Sequence, residues 1–307
     1  MATRRIVEIA EDGRVLGVER GFLTVSSKGE ILGKIPLDDI EAVLCISNYC
    51  LFTSSLASAL AENSIPLLVC DKIKKYPKSA LLAIESNYRQ GDIIQAQADA
   101  TEPMKKSAWA QIVRAKLRRQ AQVLKFLKKD EGAIFLNGVA ELVKSGDSEN
   151  CEARGAARYW KELMGDYFKR DRNANDENIF FNYGYTVLRA ATIRAILCAG
   201  LHPSLSLHHK SSTNSLRLAD DLIEPFRPFV DISVKELLKE KNDLDAEAKK
   251  MLVSILNRRI AIKEKDTTLQ SQMNSLAKNL AQFFLKESEF KKIPEIKIGE
   301  FLKNART

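Results

Sequence analysis

An α+β fold, with a small β-rich N-terminal domain ahead of a larger all-α C-terminal one, is predicted by three observations on this sequence. Its first part is cut by glycines into short segments of period-two hydrophobicity, and everything beyond about residue 104 switches to helical spacing. The chain has 307 residues, and single cores tend to stop growing near ~250–300 residues. Two domains are therefore expected.

Glycines at 13, 17, 21, 29 and 33 break residues 5–46, and between them apolar side chains alternate, as in Phe22/Thr24 and Ile31/Gly33/Ile35. This is the pattern of strands and tight turns. The period changes at Leu51: Leu51, Leu56, Ala59 and Leu60 form one stripe, Thr53 to Ser55 offer N-cap side chains, and Asn63 stops the helix before the strand-like IPLLVC. The first domain is placed at 1–85, strands closed by a helix. Residues 86–104 are polar with Pro103 near their end, which suits a linker. The second domain is placed at 105–307. GxGxxG and Walker-type loops are absent from the sequence, so no nucleotide cradle is expected.

From Lys105 to Lys129 nine residues are basic and none is acidic. Val113, Leu117, Ala121 and Leu124 keep an apolar stripe, with Arg114, Arg118, Lys125 and Lys129 along its flank. A helix with no functional demand on its charge mixes signs, because opposite charges at i, i+4 stabilise it. A phosphate-binding rail for DNA is therefore favoured over a merely solvated face. CEARGAARYWKELM follows, opened by Glu152, with Gly155, Ala156 and Ala157 small enough for close approach. On spacing alone Glu152 reads as a first-turn carboxylate answering the helix dipole. A long apolar helix carrying Arg189 and Arg194 then runs to a stop signal at Gly200.

It leads into LHPSLSLHHKSSTNSLRLADDLIEPFRPFVD, which holds all three histidines of the chain, His202, His208 and His209, followed by Asp220, Asp221 and Glu224. On a helix Asp221/Glu224 and Asp220/Glu224 share a face, which repels itself without a cation. The structural alternative pairs these acids with Arg217 and Arg227. After Asp231 the chain is charged, helical and leucine-rich to its end.

A net charge of +8 and a pI near 9.1 favour a polyanionic partner. Five widely spaced cysteines with no C-x-x-C pair write neither a disulfide framework nor a zinc knuckle. The first residues lack the apolar core of a signal peptide, and no apolar run approaches the ~18 residues that span a bilayer. The protein is expected in the cytoplasm, away from membranes.

EARGAARYW, NIFFNYGYTVLRAA, GLHPSLSLHH and LADDLIEPFRPFVD, in that order and spacing, resemble the CRISPR-associated integrase and endonuclease family, Cas1. LDDIEAVLCIS and LASALAENSIPLLVCD look like that family's β-domain. The double histidine and ADDLIEPFRPFVD look most like its type II branch. The resemblance implies three metal ligands: a glutamate opening the small-residue helix, a histidine after the G-L-x-P turn and an acid in the D-L-x-E helix. Residue by residue these fall on Glu152, His209 and Glu224. The family's histidine lies six positions after the proline and fifteen before the acid, which from Pro203 and Glu224 selects 209; His208 is the neighbouring alternative. Asp221 and His208 are supporting residues.

Two carboxylates and an imidazole suit Mg²⁺ or Mn²⁺. The resemblance further implies a homodimer that, with the small protein Cas2, joins the 3′-OH ends of short duplex DNA to a CRISPR repeat, with the RNA-guided effector nuclease as a further partner. Arg189, Lys210, Arg217 and Arg227 are candidate phosphate clamps beside the site. Two other readings stay open: a metal-dependent nuclease on branched repair DNA, and a non-catalytic DNA-binding scaffold.

Overall fold

Two-residue turns with both residues at positive φ shape the start of the chain. The computed structural model describes residues 4–71, 77–84, 87–262 and 265–303. Strand β1 (Arg5–Ile9) is followed by β2 (Arg14–Glu19), β3 (Phe22–Ser27) and β4 (Glu30–Pro36). Arg20-Gly21 and Lys28-Gly29 turn the two hairpins with φ between 50° and 87°, the mirror-image turn whose twist matches that of paired strands. β5 (Ile40–Cys45) and β6 (Cys50–Phe52) precede helix α1 (Ser54–Glu62), capped by the Thr53 hydroxyl, and then β7 (Leu67–Cys70) and β8 (Pro77–Leu81).

These strands make two four-stranded sheets, in the orders β4-β3-β2-β6 and β1-β5-β7-β8. In the second sheet β1, β5 and β7 run parallel and β8 antiparallel. Every residue of β5 is buried, as expected for a strand covered on both faces. Val43 and Leu67 pack toward the first sheet and α1, with Leu16, Leu23, Leu56 and Leu60. Ala42, Leu44 and Leu68, one position on, join the helical core.

The stretch expected as a linker contains a packed helix, α2 (Gln90–Ala98), with Ile93 and Gln97 buried. Gln97 donates to the carbonyls of His202 and Leu205. Next come α3 (Glu102–Phe126), α4 (Asp130–Glu141), α5 (Cys151–Met164) and α6 (Asn178–Cys198). α3 runs through the helical core with twelve buried residues, among them Lys116, Arg119 and Gln120. Lys129 lies beyond it. Lys128 takes a φ of 59°, the Lys129 amide donates to Leu124 O and the Lys128 amide to Lys125 O, the double bond of a left-handed helix stop. The rail read along one helix therefore breaks before its fourth member.

α7 (Arg217–Ile223) is separated from α8 (Arg227–Leu237) by a 3-10 turn, Glu224–Phe226. Pro225 and Pro228 have no amide hydrogen to continue the α-helical bonding, while the backbone keeps right-handed helical dihedrals through Ile223, Glu224, Phe226 and Arg227. α9 (Ala246–Ser254) is followed by a hairpin of β9 (Arg259–Ile262) and β10 (Lys265–Thr268), then α10 (Leu269–Phe284) and α11 (Ile298–Lys303). The hairpin falls within a stretch read as helical. Its Ile260, Ile262, Thr267 and Thr268 are β-branched and favour extended backbone.

Candidate active site

Glu152 is placed by the start of α5. Asp147 accepts from the amides of Cys151 (2.8 Å) and Glu152 (3.0 Å), satisfying two of the donors left free at a helix N-terminus. A Cβ on Gly155 would collide with Leu117 of α3. The small-residue stripe thus admits a neighbouring helix and brings Glu152 against Lys116. The Lys116 ammonium lies 2.6 Å from Glu152 Oε1 and 2.5 Å from Glu224 Oε2, and Lys116 is 8% exposed. Arg227 Nε stands 2.8 Å from Glu224 Oε1. Burial opposes ionisation of Glu224, but Arg227 and Lys116 outweigh it and hold the carboxyl down to about 2. Burial also opposes the charge on Lys116; Glu224 and Glu152 reverse that and raise its pKa.

The three acids of the 220–224 segment point to three different tasks. Asp220 is buried and ion-paired with Arg189, while its other oxygen accepts from Asn214 Nδ2 at 2.5 Å. Asp221, fully buried, accepts from the amides of Leu207, His208 and His209 and meets His209 Nδ1 at 2.6 Å. A carboxylate behind one imidazole nitrogen fixes the tautomer and leaves Nε2 for a ligand. The Asp221 hydrogen bond raises the His209 pKa, and Glu224 is close enough to add to the shift. His208 turns elsewhere: its ring stacks on Trp109 at 4.4 Å and 1°.

One lysine ammonium thus joins Glu152 and Glu224, and His209 lies near enough to Glu224 for their charges to interact. Among the described residues no three His, Cys, Asp or Glu side chains close into a metal-holding set as they stand. The donor types nevertheless fit a hard divalent cation, and Glu224 Oε2 is buried with no aligned hydrogen bond although the ammonium is near.

The expected DNA-binding cations separate into groups. Arg189 is 5% exposed and ion-paired with Asp220, and it lines the same cleft as Arg227. Arg114 donates to Val143 O, and Arg118 pairs with Glu141 at 2.8 Å, an acid supplied by α4 and invisible within the basic run itself. Arg217 donates to Ser204 O. Lys125, Lys129 and Lys210 are exposed. Arg227 lies over the Tyr185 ring at 4.5 Å and lines a cleft of about 140 Å³ together with Lys78, Arg170 and Arg172.

Sequence reasoning missed Lys116 and Tyr185. Lys116 carried a signal: Trp109, Ile112, Val113, Lys116, Leu117, Gln120, Ala121 and Leu124 recur at three- and four-residue steps, which puts a lysine on the core face. Among the described residues no helix is long and apolar enough to cross a membrane, and no two cysteines form a disulfide.

Among curated proteins the chain is 35% identical over 292 residues to the CRISPR-associated endonuclease Cas1 of Neisseria meningitidis serogroup C (strain 8013), covering 94% of this chain and 95% of that one. It is 27% identical to a protein of the same description from Francisella tularensis subsp. novicida, over 83% and 86% of the two chains. The fold is similar to a casposase bound to its integration product (TM-score 0.78, 20% identity, 95% and 94% covered). It is also similar to a Cas1 protein from Thermotoga maritima (TM-score 0.70, 17% identity, 91% and 97% covered). Residues 7–287 match the family described as CRISPR associated protein Cas1, and the chain belongs to that family.

Proposed function

We propose that the chain is a metal-dependent DNA endonuclease and integrase of CRISPR adaptation, joining the 3′-OH ends of short duplex DNA, new spacers, into the repeat array by phosphodiester transesterification. The observation that carries this reading is the pairing of Glu152 and Glu224 on one ammonium, with the Asp221-backed His209 close enough to Glu224 to feel its charge. It is supported by the endonuclease description of the relatives and by the casposase neighbour, titled as bound to an integration product. Fold neighbours titled as Cas1–Cas2 complexes support Cas2 as the partner. In this reading the chain is a homodimer whose residues 1–85 carry dimerisation and partner contacts. ADDLIEPFRPFVD and the Neisseria relative support the type II branch, and this reading includes the effector nuclease as a further partner.

Glu152, Glu224 and His209 would hold Mg²⁺ or Mn²⁺, which when bound polarises the phosphodiester and offsets charge in the in-line displacement. Asp221 keeps the His209 Nδ1 proton and aims the ring. Arg227, with the basic cleft beyond it, draws the DNA backbone toward the site, and Lys210 adds charge at the rim.

Purified protein, its small partner, a duplex with free 3′ ends and a supercoiled plasmid bearing a repeat, with Mn²⁺ or EDTA, test this. Strand joining is expected with Mn²⁺ only, reduced by roughly 10² or more in Glu152→Ala, His209→Ala and Glu224→Ala, and retained in His208→Ala. Loss in His208→Ala with survival of His209→Ala would move the ligand one residue. A second reading, the non-catalytic scaffold, draws on Lys116 and Arg227, which together already match the charges of both acids; DNA binding with neither joining nor nicking would select it. Equal activity on branched DNA lacking a repeat would select the repair nuclease.

A further inference from the structure

We propose that Lys116 is a built-in counter-cation that competes with the divalent metal for Glu152 and Glu224, so that the metal binds weakly to the free protein and tightly only once DNA phosphates are present. The inference rests on the metal reading above and concerns a residue that reading does not use. One ammonium touches an oxygen from each of the two acids, which come from different helical segments, and Arg227 holds the remaining oxygen of Glu224. The formal charges of Glu152 and Glu224 are therefore already matched by Lys116 and Arg227. A divalent ion entering this set must displace the ammonium or share the acids with it.

If Lys116 keeps its place beside the ion, the four side chains plus metal carry a formal charge of about +2 in a site that is largely out of water, and such an excess is costly there. If it leaves, its ammonium needs another anion. Backbone phosphates of DNA answer both cases, since they neutralise the excess and accept the freed ammonium. Metal and DNA then bind with positive coupling, and linkage makes the effect reciprocal. Lys116 lies one turn before Arg119 and Gln120 on a helix whose neighbouring residues are packed, so its movement is confined to its own flexible stem and need not unfold α3. The site is kept from acting as a free metal nuclease by a side chain rather than by a lid.

The test titrates Mn²⁺ into the full-length chain at neutral pH, reading free manganese by electron paramagnetic resonance, with and without a short blunt duplex carrying dideoxy 3′ ends that cannot be joined. Lys116→Met is expected to bind Mn²⁺ roughly tenfold or more tightly than the parent without DNA, because a unit charge within contact distance of the acids is gone. With DNA the two should converge, and Lys116→Arg, which keeps the cation, should stay near the parent. Equal or weaker Mn²⁺ binding by Lys116→Met would overturn the proposal. So would a parent whose Mn²⁺ affinity does not rise with DNA, a measurement that stands even if Lys116→Met fails to fold. Glu224→Gln separates the two levels: parent binding that ignores this change removes the metal reading itself, whereas binding lost in Glu224→Gln but unmoved in Lys116→Met removes only the role of Lys116.

Discussion

Asp231 on α8 is buried between two phenols. The Tyr159 hydroxyl donates to it at 3.1 Å, the Tyr185 hydroxyl donates to its other oxygen, and Arg170 and Arg227 sit over the Tyr185 ring. Burial pushes its carboxyl up to about 6 from an ordinary 3.8, against the pull of both hydroxyls and both guanidiniums. Between those values the folded chain binds a proton that the unfolded chain does not. Its contribution is therefore greatest at low pH and is lost as pH rises through 6. Glu224 has the opposite sign, since its depressed pKa stabilises above 4.5 and fails as pH falls toward 2. In Asp231→Asn the amide still accepts from one phenol and donates to the other, so urea unfolding should show a flatter fall between pH 4 and 6. Stability near pH 7 should gain about 1–3 kcal/mol relative to the parent. Parallel pH curves for the two proteins would contradict this. Little of this network was legible in the sequence, because nothing in PFVD says that two phenols from α5 and α6 meet its acid. Glu152, His209 and Glu224 were reached through a family spacing that fixes residues in order rather than through local chemistry. Lys116 was hidden by its neighbours: among eight other basic residues in the same run it was counted but given no role of its own.

α3 shows what a helical pattern can and cannot reveal. Its existence and apolar stripe followed from spacing, but the division of its cations followed from elements far along the chain. Lys116 meets Glu152 and Glu224, Arg119 is sealed against the carbonyls of Pro225 and Pro294, and Arg118 reaches Glu141. Only Lys125 and, past the helix stop, Lys129 remain exposed among the four residues of the expected rail. Reversing Lys125 and Lys129 together to Glu should therefore weaken DNA binding and lower the slope of log affinity against log salt by about 2, near 0.9 for each phosphate that is no longer neutralised. Arg114→Glu and Arg118→Glu should instead lower thermal stability, since they break the bonds to Val143 and Glu141. An unchanged salt slope in the double reversal would take the rail away altogether. The same limit explains α7. Asp220, Asp221 and Glu224 read as one acidic face, but each meets a partner from a different part of the chain, Arg189, His209 and Lys116.

At the scale of the whole molecule, the β-rich part and the helical part share β5, whose two faces belong to two different cores. Glycine turns and alternating residues made the strands predictable; the clasp between the parts was not, because it joins positions 41, 194 and 270. Arg194 of α6 donates to the carbonyls of Ile40, Asn63 and Ser64 and pairs at 2.9 Å with Glu41, a fully buried acid that Gln270 of α10 also reaches. Burial raises the Glu41 pKa against the pull of Arg194, so the pair meets a large desolvation cost. Removing one member of such a pair leaves the other uncompensated and costs about 3–5 kcal/mol, whereas replacing both with apolar groups is often close to neutral. Arg194 also satisfies three backbone carbonyls, so the balance here is intermediate. Arg194→Met should cost about 3 kcal/mol or more in urea unfolding. Glu41→Met with Arg194→Met should recover about a kcal/mol or more of that, because only unpaired carbonyls remain. A double variant no more stable than Arg194→Met would place the energy in those carbonyl bonds and make the ion pair incidental. A recovered double variant would identify Glu41 as the charge that ties the sheet to α6, with the helices that carry the site resting on that junction.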